Sequence, residues 1–172
     1  DFTLNASGDI ELNADGGQVT IKDDTASHFL FDCDNTALTI YDDTAAADYL
    51  KFTVAANGAS TISTNDNDGT AGDLTLDVDG DIELNADGGQ VIIKDALASH
   101  FLFDCDNTKF TMYDDANVND YFSIAIADEG ATRISTVDAN TAVGHLTLDP
   151  DGELNLTPVT EVKSDAPLKI KE

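Results

Sequence analysis

The sequence predicts an all-β protein with an elongated repeat fold, either a β-solenoid or an intertwined trimeric β-fibre. Three observations predict it. The chain falls on itself when shifted by 72 positions, so that His28 meets His100, Cys33 meets Cys105 and Ile62 meets Ile134. Apolar and polar residues alternate with a period of two inside each repeat. Turn signals rich in Asp, Asn and Gly separate the alternating runs.

The repeat sets the domain plan. GDIELNADGGQV occurs at 8–19 and unchanged at 80–91, and ASHFLFDCDNT at 26–36 and 98–108. LTLDPDGELNL at 146–156 echoes the start of the second copy. The plan is therefore β repeat 1 over 1–72, β repeat 2 over 73–144, and a partial third repeat with a connector over 145–172. Self-similarity of this kind marks stacked units rather than one closed enzyme fold.

Each element follows from its pattern. Leu74, Leu76 and Val78 alternate with Thr75, Asp77 and Asp79, and Ile82 and Leu84 with Glu83 and Asn85. Phe101 and Phe103 alternate with Leu102 and Asp104, and Phe110 and Met112 with Thr111 and Tyr113. Such runs make strands with one packed face and one wet face. The turns are expected at 86–89, Asn57-Gly58, Asp68-Gly69 and Asp79-Gly80. This spacing gives about seven strands per repeat, at intervals of roughly 9–12 residues. The Ala-rich run at 44–48 is too short to stand as a helix. All three prolines fall after residue 149, where the regular pattern is expected to end near Pro158. PLKIKE at 167–172 reads as one more short strand.

Each strand offers only two or three apolar side chains. Burying one contributes roughly 1.5–3 kcal/mol, while ordering each residue costs about 1–2 kcal/mol. A thin layer is not stable by itself, so the strands must stack within one chain or between chains. Leu30, Leu102 and Tyr121, apolar residues on the nominally wet face, are candidates for contact with a neighbouring chain. Cys33 and Cys105 share the parity of the preceding phenylalanines and are expected as small apolar core residues.

Composition narrows the partners. The chain carries 34 acidic and 8 basic residues, a formal charge of −26. That field repels nucleic acid and anionic membrane, and no apolar run is long enough to span a bilayer. The chain is nonetheless 41% hydrophobic with regular placement, so a folded protein is expected. It opens in mid-pattern at Asp1, as a piece of a longer protein does.

GDLTLDVDGDIELNADGGQVIIKD at 72–95 resembles the repeat of long structural proteins of marine bacteriophages, especially tail-fibre-like proteins of cyanophages. SDAPLKIKE at 164–172 is similar to the segment that often precedes the C-terminal part of such proteins. The resemblance covers the strand–turn cores and the tail, and not SHFLFDCDNT or YDDANVND. It implies an extracellular, virion-borne fibre shaft, commonly homotrimeric, with a host receptor met through another part of the chain.

Several motifs invite chemistry. FLFDCDNT at 29–36 has the Asp-x-Asp-x-Thr of haloacid-dehalogenase-type phosphatases. Those need a parallel sheet with helices, a magnesium site and a lysine, whereas here ALTIYDD follows as another strand. Asp32 and Asp34 are instead expected on the polar face beside His28, with Asp104 and Asp106 repeating them. Calcium is the stronger option, because hard cations want clustered oxygens. The candidate ligands are Asp77, Asp79 and Asp81, and Asp66 and Asp68. Neither run has EF-hand spacing. His28 and His100 are expected to cap strand starts, or to gather around a threefold axis as metal ligands. Asp42/Asp43 and Asp114/Asp115 imitate a glycosidase pair, but adjacent acids at a strand end read as a turn. No Ser/His/Asp arrangement, phosphate-cradling glycine loop or CxxC pair is present. No catalytic residue and no cofactor beyond calcium is expected. The functional expectation is a phage tail-fibre shaft that self-associates. The alternative is a bacterial surface adhesin or a secreted self-assembling filament.

Overall fold

The computed structural model describes residues 3–69, 71–140 and 143–166. It divides into two compact units, Asp1–Gly80 and Asp81–Glu172. Each carries one antiparallel five-stranded sheet whose strands are neighbours in chain order. In the first unit these are β1 (Gln18–Asp23), β2 (Ala26–Asp32), β3 (Ala37–Tyr41), β4 (Tyr49–Val54) and β5 (Ser60–Asn65). In the second they are β6 (Gln90–Asp95), β7 (Ala98–Asp104), β8 (Lys109–Tyr113), β9 (Tyr121–Ile126) and β10 (Thr132–Val137). Neither sheet closes on itself, so β1 and β5 are edges in one, and β6 and β10 in the other. The protein is all-β: the helical pieces among the described residues are the short 3₁₀ turns Ala56–Gly58 and Asp128–Gly130.

The turns explain the meander. Gly17 donates its N–H to the Ala14 carbonyl at 2.9 Å and holds a φ of 70°, and Gly89 repeats this with Ala86 at 2.8 Å and 69°. Between β4 and β5, Asn57 and Gly58 both take positive φ, and Ala55 N–H bonds the Ala59 carbonyl at 2.7 Å. Asn tolerates this left-handed conformation and Gly adopts it freely. Glu129 and Gly130 do the same in the second unit. Between β1 and β2 the register shifts after Ile21, so His28 is the extra residue of a bulge; His100 repeats it between β6 and β7. The histidines therefore do not cap strand starts. They occupy the positions where a bulge re-aims the side chain.

Register sorts the side chains into two faces. Ile21↔Phe29, Phe29↔Ile40, Ile40↔Leu50 and Leu38↔Phe52↔Ile62 pair across the first sheet, and all lie on one side. The opposite side carries Thr20↔Leu30↔Thr39↔Lys51↔Ser63. There Tyr41 and Tyr49 meet edge to face at 6.1 Å, as Tyr113 and Tyr121 do in the second sheet. Long neighbours close over the central threonine, so Thr39 is 5% and Thr111 1% exposed.

The apolar side is only partly covered: in the first unit Ile10 and Leu12, from the run before β1, line a depression with Val19, Ile21, Phe31 and Cys33. Among the described residues no hydrophobic side chain is buried. Ile21, Phe31, Phe52 and Ile62 stay exposed, as do Ile93, Phe101, Phe103 and Ile134. Cys33 and Cys105, expected in a core, are exposed as well. They stand one residue beyond β2 and β7, in turns, and no core exists for them to fill.

Among the described residues five strands form per unit, where the alternation suggests about seven. The missing ones are the runs around Leu74–Val78 and Ile82–Leu84, which carry no ladder and expose their apolar residues. The equivalent runs before β1 and after His145 behave alike. Their alternation is that of a strand, but among the described residues no partner strand lies beside them. Residues 143–166 contain no strand, and the one expected at 167–172 lies outside the described residues.

Candidate functional site

The FLFDCDNT motif builds one end of each sheet. β2 ends at Asp32, whose carboxylate accepts the Asn35 backbone N–H at 3.1 Å and the Asn35 side-chain amide at 2.8 Å. Thr36 then takes a φ of 48° and β3 begins. Asp104 and Asn107 repeat both bonds at 3.0 and 2.9 Å. The second aspartate has a separate task. Cys33 N–H bonds the Gly17 carbonyl at 2.7 Å, and the Asp34 carboxylate lies directly over the Gly17 α-carbon. Asp106 covers Gly89 in the same way. The motif that imitates a phosphatase nucleophile is thus a turn that closes one hairpin and clamps the glycine turn before it.

Electrostatics agree with this geometry. The Asn35 side-chain amide, followed by its backbone N–H, holds the Asp32 carboxyl below the ordinary aspartate value. Asn107 does the same for Asp104, and the Thr44 hydroxyl leads the donors that lower Asp42. A depressed folded-state pKa means that the unfolded chain binds the proton first as pH falls. The contribution is complete above the unfolded value, about 4, and is lost as pH falls through the folded one. The melting-temperature gap between the wild type and Asp32→Ala is therefore expected to be constant above about pH 5 and to close below about pH 4. A gap that persists to pH 2 would contradict the assignment.

Asp42 and Asp43 divide their roles. Asp42 caps the turn after β3, accepting from Thr44 N–H and hydroxyl at 2.7 Å each. Asp43 faces His28, with Nε2 to Oδ1 at 3.5 Å, and Asp115 faces His100 at 3.6 Å. Both Nε2 atoms are buried and have no hydrogen-bond partner, so each imidazole meets its carboxylate only at long range.

The calcium candidates separate. Asp77, Asp79 and Asp81 lie in an exposed extended run and are not gathered with other ligands among the described residues. Asp66 and Asp68 are brought together with Asp48, one oxygen from each within 4.8 Å of the others. Asp48 escaped the sequence reading. The hairpin centred on Asn57 pairs Tyr49 with Asn65, so Asp48 falls opposite Asp66; the Asn57-Gly58 signal would have placed it. Three carboxylates offer an oxygen set of the type hard cations take. The same groups also bind the turn: Asp48 accepts Asn67 N–H at 2.8 Å and Asp66 accepts Asp68 N–H at 3.0 Å. In the second unit Asp120 and Asp138 correspond to Asp48 and Asp66, but Asn140 stands in place of Asp68.

Beside each DCDNT turn the apolar face is concave. In the first unit Phe31, Leu38, Phe52 and Val54 line about 350 Å³, with Cys33 and Thr36 at the rim. In the second, Phe103, Phe110, Ile124 and Ile126 line about 470 Å³, with Cys105 and Thr108 at the rim. A depression that recurs at equivalent positions and is walled mainly by hydrocarbon suits an apolar surface better than a polar small molecule. No helix among the described residues is long and apolar enough to cross a membrane. No protein-family model, curated protein or solved structure matches this chain.

Proposed function

We propose that this chain is a structural shaft segment of an extracellular fibre, a phage tail fibre that takes part in host attachment, built by self-association into a homotrimer. The observation that carries the reading is the apolar face left bare on both sheets. Among the described residues no hydrophobic side chain is buried, and Ile21, Phe31, Phe52 and Ile62 in one sheet and Ile93, Phe101, Phe103 and Ile134 in the other stay exposed. Shaft function needs no catalytic group: covered apolar rows and continuous backbone hydrogen bonds supply rigidity. The bare ladder-less runs fit the same role, since copies laid side by side supply each other's missing strands. Similarity of 72–95 to marine phage fibre repeats points the same way. The adhesin or filament alternative shares these features and differs in being open-ended.

Light scattering at several concentrations tests the reading. A fixed mass of three chains supports the closed shaft. Growth with concentration favours the filament. A single-chain mass at micromolar concentration rejects both. Salt is a second check. Each chain brings a charge of −26, and screening shortens from about 10 Å at 0.1 M to about 3 Å at 1 M. The melting temperature is expected to rise between those concentrations, and a fall would contradict association of like-charged copies.

A further inference from the structure

We infer that Asn57-Gly58 is a site of chemical modification, where the Gly58 backbone nitrogen displaces ammonia from the Asn57 side chain, and that the turn between β4 and β5 controls when this happens. Asn57 is the one asparagine of the chain followed by glycine. Glycine sets no Cβ beside the attacking nitrogen. Both residues are exposed, with open space around Gly58, and asparagine is a thermolabile residue. Water is the only co-reactant. The Gly58 nitrogen loses its proton and bonds Cγ of Asn57, the Cγ–Nδ2 bond breaks, and ammonia leaves with that proton. Water then opens the succinimide ring. Opening at Cγ gives aspartate. Opening at the main-chain carbonyl of residue 57 gives isoaspartate, whose backbone runs through Cβ and Cγ. Nothing is oxidised or reduced.

Backbone conformation sets the rate. Asn57 holds a φ of 63° and a ψ of 19°. In an L-residue this ψ turns the following nitrogen almost directly away from Cβ, and ring closure needs it on the Cβ side. The bond must therefore rotate by more than a right angle. The turn resists that rotation at two points. Gly58 N–H donates to the Ala55 carbonyl at 3.2 Å, and Ala55 N–H donates to the Ala59 carbonyl at 2.7 Å. While the turn is closed, nucleophile and carbonyl carbon stay apart. They meet only when it opens, a local event that costs less than unfolding the sheet.

The product does not fit the turn that made it. Isoaspartate lengthens the backbone by one atom, which strains the Ala55–Ala59 bond and the adjacent Val54↔Ser60 pair. β5 is a sheet edge, held on one side only. A chain whose turn has opened is thereby marked, and its edge strand loosened, without a way back. The second unit has the same turn without the chemistry. Glu129 stands at the Asn57 position with φ 62° and ψ 16°, and Gly130 N–H donates to the Ala127 carbonyl at 3.2 Å. A glutamate there has no amide to lose. The site exists whether the chain works singly or in a fibre.

Peptide mapping tests both parts. The whole chain is held at mildly alkaline pH in native buffer and in unfolding guanidinium chloride, then cleaved and weighed by mass spectrometry for amide converted to acid. In guanidinium Asn57 is expected to convert faster than any other asparagine. In native buffer its conversion is expected to be slower by about tenfold or more. Two exchanges between the repeats extend the test, each placing a residue that the equivalent turn already holds. Glu129→Asn is expected to create a second site with a similar ratio of rates, and Asn57→Glu to abolish the first. Another asparagine converting first in guanidinium overturns the site. Equal rates in the two solvents overturn the control by the turn. So does a Glu129→Asn site that converts in native buffer as fast as in guanidinium.

Discussion

Gly17→Ala is expected to destabilise the first unit by about 2 kcal/mol, because an alanine in the left-handed region costs roughly 1–2 kcal/mol and its methyl overlaps the Asp34 carboxylate. In a unit of this size that is a loss of about 8–16 °C in melting temperature. Gly89→Ala is expected to do the same to the second unit, where φ is 69° and Asp106 takes the place of Asp34. The adjacent glycine is the control. Gly16 has open space where a Cβ would stand and no positive φ, so Gly16→Ala should stay within about 0.5 kcal/mol. Adding Asp34→Ala to Gly17→Ala removes the overlap and leaves the backbone cost, so partial recovery separates the two causes. Equal effects at Gly16 and Gly17, followed by thermal denaturation, would show that the DCDNT turn does not clamp the glycine turn.

That clamp shows what the sequence made legible. The repeat, the period of two and the Asn57-Gly58 and 86–89 turns led directly to the all-β assignment, because local patterning decides where strands and turns form. Phe29 and Phe31, like Phe101 and Phe103, were placed on one face by alternation, and the register keeps them there. Long-range pairing was harder. Asp48 meets Asp66 only through the hairpin, and His28 owes its place to a bulge that no single residue announces. The Cys33 expectation failed for a different reason. Parity correctly set it beside Phe31, but parity cannot say whether a face is covered, and here it is bare. Leu74, Leu76 and Val78 likewise have the pattern of a strand, but a strand also needs a neighbour, and none lies beside them among the described residues. The proposed self-association gives the Cys33 and Leu74 departures one origin: the pattern is written for surfaces that additional chains would provide.

Converting Phe31 and Phe103 together to Asp is the sharpest challenge to that statement. Both rings are about half exposed, at 44% and 46%, and each would gain roughly 1 kcal/mol from covering what remains open. Aspartate forfeits that gain and sets an unpaired carboxylate in a dry contact, at a cost of several kcal/mol per site. With every 1.4 kcal/mol worth a factor of ten in affinity, the double variant is expected to sediment as a single chain of 18.2 kDa. Its far-UV spectrum is expected to lose sheet signal as the mass falls, because Phe103 stacks on Phe110 at 4.8 Å and an uncovered single layer is not stable by itself. Leu97→Asp is the matched control. Leu97 is 95% exposed in the turn between β6 and β7, off the apolar face, so the same change of chemistry there should leave the particle's mass unaltered. A double variant that keeps the wild-type mass would mean that the bare faces are not what joins the copies.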